Sequence, residues 1–439
     1  MNTDQPLSVS LVSLGCPKNL VDSEKMLAQL AQGGCIVGAP MDQADVIVIN
    51  TCGFLSAARE ESLAVIHEAL AHKAAGSARR VVVAGCLANR EQAKLRDMLP
   101  GVDAILGVND RDGILSAVVG KRRVFRYSEF AGQIASDAGR FRLTPRHTAY
   151  LRISEGCSQK CTFCTIPTIR GPFRSKAPQA VLDEARELIS DGVVEINVIG
   201  QDTTSYGADL DDGSTLAGLM DKLAALDGAQ WIRLMYAYPR RFSDKLIDTF
   251  ASNERIVPYV DIPLQHIADR VLKRMGRKVT RQATEELLSK LRSRVPGMAI
   301  RTTLIVGFPG ETDEDFEQLL GFVQAQRFSA LGVFEYSPEE HTPASRLKEQ
   351  VPDEVKASRA ERIMLAQQEI AFEVNRRMAG QRIRVLVDGK AGRQNIGRYY
   401  AQAPDIDSIC IIKGKAKPGM FIDAKVVGQQ DYDLIVQSQ

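Results

Sequence analysis

Eight cysteines in a chain of 439 residues are the side chains best suited to chemistry, and six of them fall into two sets of three. Cys157, Cys161 and Cys164 stand in the run Gly156-Cys-Ser-Gln-Lys-Cys-Thr-Phe-Cys, a C-x3-C-x2-C spacing. Three thiolates on one short loop can hold three irons of a 4Fe–4S cube and leave the fourth iron without a protein ligand. A small molecule with an amine and a carboxylate can chelate that vacancy. Structural zinc is the plain alternative, but it wants four ligands and no nearby Cys or His supplies the fourth. The second set is Cys16, Cys52 and Cys86, each placed directly after an expected strand: Ser13-Leu-Gly-Cys16, Ile49-Asn-Thr-Cys52 and Val83-Ala-Gly-Cys86. In a parallel sheet successive strand ends line one edge, so these loops converge on a crevice. Gly15, Gly53 and Gly85 beside them let the backbone approach closely. Three buried core cysteines remain the bland reading of this set. Cys35 and Cys410 fit neither set and read as small buried hydrophobes.

The elements that must position these residues fall into three segments. Residues 1–127 alternate β-rich runs (Val9–Leu14, Val46–Asn50, Val81–Ala84) with helical stretches (Asp22–Gln32, Ser56–Lys73), a βαβ pattern that implies a doubly wound parallel sheet. Residues 128–146 are polar, contain Gly132, Gly139 and Pro145, and read as a linker. Residues 147–374 repeat strand then helix, with strands at Ala149–Ile153, Glu195–Ile199, Ile232–Tyr236, Tyr259–Ile262, Ile300–Val306 and Leu331–Tyr336. Six units imply a partial (β/α)6 barrel, since eight close the full form. The first cysteine run follows the first of these strands, at the face where barrel sites are built. A long amphipathic helix opened by Pro352 and stopped near Gly380 ends this segment, with Val355, Ile363, Ile370 and Val374 on one face.

Residues 375–439 change character: Ile383–Val387, Ile409–Ile412, Phe421–Val427 and Leu434–Val436 are short strands between Gly and Pro turns, a small β-barrel pattern. From Arg376 onward eleven Lys or Arg face six Asp and no Glu, a net of +5, while the whole chain carries only +2. A basic barrel suits an RNA or ribosome contact; a solvated basic face is the bland alternative. The composition, 44% hydrophobic and 25% charged, is that of a globular protein, and no uninterrupted apolar run is long enough to span a membrane. Met1–Leu7 lacks the basic-then-apolar pattern of a secretory signal, so a cytoplasmic location is expected, where cysteines stay reduced.

The cysteine loop, with Phe163 before its last cysteine, resembles the radical S-adenosylmethionine superfamily. Two three-cysteine sets and a small C-terminal barrel resemble, more narrowly, its methylthiotransferase family, which joins a cluster domain, a radical domain and an OB-like antiparallel TRAM barrel. The runs from Ser13 to Glu24, Asp261-Ile-Pro-Leu-Gln-His266, Ser337-Pro-Glu-Glu340 and Gly397 to Asp407 are similar to the branch that modifies small-subunit ribosomal protein 12. The sister branch acting on tRNA adenosine usually carries Gln-Met-Asn where this chain has Pro17-Lys18-Asn19. His341 stands where a glycine is usual. The resemblance implies two 4Fe–4S clusters and two molecules of S-adenosylmethionine per turnover. One molecule methylates a cluster-bound sulfur. The other yields a radical that removes hydrogen from the β-carbon of an aspartate. It also implies a flavodoxin or ferredoxin as electron donor and both open irons facing one cavity. Gly200, Gln201 and Asp202 would hold the cofactor's amino group, and Arg301 and Gly307 its carboxylate and adenine. A strand-end turn, a surface charge and a packing glycine are the respective alternatives. Lys18 reads as a partner of anionic sulfur or of a substrate carboxylate, or as an exposed loop lysine, and no catalytic acid or base is nominated. A cluster-carrying electron-transfer or RNA-binding scaffold is the remaining reading.

Overall fold

The computed structural model describes residues 5–130, 132 and 134–438. Two compact units divide the chain. The first holds the N-terminal sheet with Ser154–Gln159 and Cys164–Glu184; the second holds Thr144–Ile153, Lys160–Phe163 and the chain from Ala185 onward. Among the described residues no helix is long and apolar enough to cross a membrane.

In the first unit six strands, β1 (Ser8–Ser13), β2 (Ile36–Val37), β3 (Val46–Thr51), β4 (Arg80–Gly85), β5 (Ala104–Leu106) and β6 (Val124–Arg126), form one sheet in the order β2-β1-β3-β4-β5-β6. Every pairing is parallel. The strand period of two splits the central residues between faces. Ile47, Ile49, Val81 and Val83 meet Ile66 and Ala69 of the helix Ser56–Ala74. Val46, Val48, Val82 and Ala84 meet Met26, Leu30, Ile114 and Val118 from the opposite side. Both faces are covered, which is why β3 and β4 are buried end to end. The first helix runs over Pro17–Gln32, five residues earlier than the apolar period suggests. Pro17 is preset for the first helical turn and Cys16 becomes the N-cap.

The described residues of 128–143 have no helix or strand, yet the segment is not a loose tether. Lys176, with no exposed side chain, binds Asp137 and Glu184 at 2.8 Å, and Glu24 takes Arg140 at 3.1 Å and the backbone N–H of Leu143 at 2.9 Å. Polarity marked a linker; pairing of buried charges makes it a strap. The two-residue strands β8 (Ser154–Glu155) and β9 (Arg174–Ser175) pair antiparallel beyond it.

In the second unit β7 (Thr148–Arg152), β10 (Glu195–Ile199), β11 (Trp231–Leu234), β12 (Ile256–Asp261), β13 (Ala299–Val306) and β14 (Ala330–Glu335) form an open parallel sheet in the order β14-β13-β12-β11-β10-β7. The helix Asp353–Met378 follows, burying Ile363 and Ile370. Then β15 (Arg382–Ala391), β16 (Gln394–Tyr399), β17 (Cys410–Lys413), β18 (Phe421–Gln430) and β19 (Asp433–Ser438) close a barrel in the order β15-β16-β17-β19-β18. All its pairs are antiparallel except β17 with β19. Strand β16 escapes the apolar pattern because Gln-Asn-Ile-Gly-Arg-Tyr is mostly polar; its hairpin with β15 forms it.

The segment 398–407 of this barrel bonds to five adjacent strands of the open sheet. Arg398 grips Glu195 at 2.7 and 3.0 Å and Asp388 at 2.8 Å, and Arg233 holds the same Glu195 at 3.0 Å. His147 meets Asp388 at 3.0 Å, Tyr150 donates to Asp405 at 2.9 Å and Tyr259 to Asp407 at 2.8 Å. Arg301 completes the set on Asp407 at 3.2 Å. Burial opposes the charge on Glu195, but the two guanidiniums outweigh it and bring its pKa to about 2.

A carboxylate held below its unfolded value stabilises the fold above that value and loses the contribution as pH falls through its folded pKa. Glu195 should therefore contribute about 3 kcal/mol at neutral pH, lost between about pH 4 and about pH 2. Glu195→Gln leaves two arginines buried without their shared anion and should cost about 3 kcal/mol or more. Fluorescence of Trp231, the single tryptophan, whose ring meets Phe421 of the barrel at 4.8 Å, reports the transition in urea. Coincident midpoints for the two proteins at pH 7 would show that this network does not hold the barrel.

Candidate functional site

Adjacent parallel strands β1, β3 and β4 end at Cys16, Cys52 and Cys86, so the sheet itself gathers the three thiols. Glycine makes the gathering close. A β-carbon on Gly15, whose φ is +86°, would stand 2.8 Å from Cys52 Cβ and 3.1 Å from its sulfur. One on Gly53 would stand 2.9 Å from the carbonyl carbon and oxygen of Cys86. Behind the thiols lies a polar frame. Asn19 Nδ2 donates to Leu14 O at 2.7 Å and Thr51 O at 3.1 Å, Asn50 Nδ2 donates to Asn19 O at 2.8 Å, and Ser62 bridges the N–H and C=O of Cys52.

Charge acts on this set unequally. Burial raises the Cys16 thiol, but Lys18, Arg170 and the N–H groups of Asn19 and Lys18 outweigh it, so its pKa ends below the ordinary thiol value. Burial dominates at Cys52 and pushes Cys86 up to about 12 against the pull of Arg170. Lys18 is itself buried, not an exposed loop lysine.

Arg170 ends the short helix Ile166–Arg170 that follows Cys164, and it is fully buried. Its guanidinium donates to both oxygens of Glu155 at 3.2 and 3.1 Å, to Asn19 Oδ1 at 3.1 Å and to Asp22 Oδ2 at 3.0 Å. Thr165 Oγ1 donates to Phe54 O at 3.5 Å, and Ile169 packs against Cys86. The loop carrying Cys164 therefore rests on the loops carrying Cys52 and Cys86. Within this loop the backbone N–H of Gln159 points to Cys157 Sγ and that of Ile166 to Cys164 Sγ, each at 3.4 Å. Such N–H donors favour the thiolate that binds iron. In the second unit Arg277 donates to Cys161 Sγ at 3.8 Å, lies over the Tyr238 ring at 4.2 Å and donates to Pro263 O at 2.6 Å. Phe163 packs edge-on against Phe308 and anchors its loop in the core.

Among the described residues no three Cys, His, Asp or Glu side chains are drawn together as around a single metal ion. A cube places its irons at separate corners, so its cysteine sulfurs stand wider apart than around one ion. Thiols at three loop tips, with glycine clearance and N–H and cationic donors, fit such a group.

The other expected cofactor contacts fare differently. Gly200, Gln201 and Asp202 follow β10; the Asp202 carboxylate accepts from Thr204 Oγ1 at 2.9 Å and Ser205 Oγ at 2.6 Å, and the backbone carbonyls of the three are the groups expected at the cofactor's amino group. Arg301 pairs with Asp261 at 3.0 Å and Asp407 at 3.2 Å, so any contact with the cofactor's carboxylate would be made from within this network. Gly307 has φ +69° and a β-carbon there would meet Lys356 Cγ at 2.2 Å, a packing reason for glycine that is independent of any cofactor contact. His341 adopts φ +68°, the left-handed conformation that a glycine takes at less cost. Arg170 and Arg277 were missed, because neither is distinguishable in sequence from a solvated arginine near a cysteine loop.

Residues 151–323 match the Radical SAM superfamily, residues 8–107 the Uncharacterized protein family UPF0004 and residues 379–438 the TRAM domain. Among solved structures, the radical S-adenosylmethionine methyltransferase TsrM from Kitasatospora setae superposes with a TM-score of 0.55 at 15% identity, covering 77% of this chain and 74% of that one. The cobalamin-dependent radical enzyme OxsB does so at 0.51 and 13%, covering 82% and 56%. Fold and cysteine loop together define a radical S-adenosylmethionine enzyme. A protein of Geotalea uraniireducens is 44% identical over 99% of both chains, and one of Anaeromyxobacter sp. (strain Fw109-5) is 46% identical over 97% of this chain and 92% of its own. Both bear the name ribosomal protein uS12 methylthiotransferase RimO, and this chain belongs to that family.

Arg170→Met takes a shared buried cation away from Glu155 and Asp22, of which Asp22 keeps Arg111, and should destabilise the metal-free protein by about 3 kcal/mol or more. Arg170→Lys keeps the charge without the fork and should lose less. Thermal unfolding followed by circular dichroism makes the comparison, and identical melting of all three proteins would remove Arg170 from the frame.

Proposed function

We propose that the chain inserts a methylthio group at the β-carbon of an aspartate in small-subunit ribosomal protein uS12, and does so in the cytoplasm. Two 4Fe–4S clusters would sit on Cys16, Cys52 and Cys86 and on Cys157, Cys161 and Cys164. The observation that carries this reading is the convergence of Cys16, Cys52 and Cys86 at three neighbouring strand ends under the charge of Arg170, itself borne by the radical cysteine loop.

When bound, the clusters and two molecules of S-adenosylmethionine supply the one-electron cleavage that makes the abstracting radical and the sulfur and methyl group that are transferred. The chain's residues prepare the ground. Lys18 and the N–H groups of Lys18 and Asn19 favour Cys16 as the thiolate, and Arg170 offsets burial at Cys86. N–H donors at Gln159 and Ile166 do the same for Cys157 and Cys164. Gly200 and Gln201 remain candidates for the cofactor's amino group through backbone carbonyls. Arg277, facing Cys161 Sγ, is better placed than Arg301 for an anionic group of the cofactor. A flavodoxin or ferredoxin would supply electrons.

A contact with RNA through the C-terminal barrel is a second element of this reading. Asp388 and Asp407 are spent on Arg398, His147, Tyr259 and Arg301, while Lys390, Arg393, Lys413, Lys415 and Lys417 are exposed. Asn395 Nδ2 joins the β15–β16 hairpin to Gly414 O at 2.9 Å, so these cations share one end of the barrel. Polyanion binding at such a surface weakens steeply with salt.

Mass spectrometry of uS12 from cells lacking the gene should find the aspartate without its SCH2 increment. In vitro, Cys16, Cys52 and Cys86 changed together to Ala should leave 5′-deoxyadenosine release intact and abolish transfer to uS12; the same change at Cys157, Cys161 and Cys164 should abolish both. An unaltered uS12, together with loss of a methylthio group from tRNA, would assign the substrate to adenosine instead.

A further inference from the structure

A cavity of about 1000 Å³ opens in the second unit between the helices Asp244–Ser252 and Arg281–Arg294. Lys160, Arg240, Lys273, Arg277, Lys278 and Lys290 bring six cations to its wall. Its acids are already engaged: Asp244 by Lys290 at 3.3 Å and Arg294 at 2.9 Å, Asp269 by the N–H of Arg281 at 2.6 Å, and Glu286 by Gln282 at 2.9 Å. Lys160, Arg240, Lys273 and Lys278 are exposed and form no ion pair among the described residues. The groove therefore presents a net positive field to whatever enters it.

Its location gives that field a use. Lys160 immediately precedes Cys161, and Arg277 from the groove wall donates to Cys161 Sγ at 3.8 Å. Thr162 fastens the cysteine loop to the same wall, its N–H on Met275 O and its hydroxyl on Arg274 O, both at 2.9 Å. An occupant of the groove lies one side chain away from a sulfur that the radical reading assigns to iron.

We propose that this groove is the docking surface for an acidic one-electron carrier protein that reduces the cluster on Cys157, Cys161 and Cys164, an inference that rests on the radical reading above. The carrier gives up one electron and the cluster gains one; no bond is made or broken until that electron cleaves the carbon–sulfur bond of the cofactor. Charge sign excludes a basic protein from this groove, because cations repel it. RNA would satisfy the charge, but single strands are usually held by exposed aromatic faces as well. The groove's aromatic, Phe242, is buried.

The test uses the full-length, reconstituted protein and the double variant Arg240→Glu/Lys273→Glu, whose side chains touch neither cysteine set. Release of 5′-deoxyadenosine is followed with photoreduced flavodoxin and, separately, with dithionite. With flavodoxin at low ionic strength the variant should be slower by about tenfold or more, a deficit that shrinks as salt rises. With dithionite the two proteins should agree within about twofold, the tolerance expected for exposed side chains remote from the cofactor. Equal flavodoxin-driven rates would overturn the docking site, as would a variant that loses affinity for tRNA while keeping its flavodoxin rate. Absence of release from both proteins under dithionite would instead defeat the radical reading. Calorimetric binding of oxidised flavodoxin to parent and variant then decides the docking site independently.

Discussion

A thiolate removed from water must be met by positive charge or by N–H donors, and the first unit is arranged around that requirement. Arg170 acts on all three thiols of the set. It lies where Glu155, Asn19 and Asp22 satisfy its donors, and from there its charge acts on Cys86 and Cys16. A buried guanidinium is itself costly unless paired, so the two carboxylates are as necessary as the arginine. The residue that lowers the electrostatic cost of one cysteine set belongs to the loop of the other. The first set thus takes part of its charge compensation from the segment that follows the second.

The second unit meets a different constraint with similar chemistry. Six parallel strands leave the sheet open, and charged or hydroxylated side chains on five of them need partners once a covering element buries them. The chain supplies one from its own C-terminal barrel. Glu195, shared between Arg233 and Arg398, joins the sheet to the barrel, and the Tyr150–Asp405 and Tyr259–Asp407 bonds extend the seam. The run Gly397 to Asp407 is therefore a structural contact, whose residue types are fixed by the strands they cover.

Sequence pattern reveals the skeleton of this arrangement because strands buried on both faces are nearly all apolar. Val46 to Asn50 and Val81 to Ala84 are readable for that reason, and with them the placement of Cys52 and Cys86 at adjacent strand ends. The start of the first helix is less visible, since Pro17-Lys18-Asn19 carries no apolar period. Strand β16 is hidden because its partners, not its composition, make it a strand. The arginines are the hardest case. Arg170, Arg277 and Arg301 look alike in sequence; only tertiary contact separates one that supports thiols, one that faces Cys161 and one that binds the barrel seam.

The same indifference of composition to placement governs the charges of the C-terminal barrel. Its formal excess understates what it presents, because Asp388 and Asp407 face inward to the seam while Lys390, Arg393, Lys413, Lys415 and Lys417 remain outside. A basic protein approaching that end of the barrel meets repulsion, whereas a basic protein seated on RNA brings compensating phosphates with it. Electrostatics of this kind governs the rate and orientation of encounter more than the strength of the final contact. Exposed cations at this end of the barrel therefore oppose a bare basic protein there and favour a polyanion.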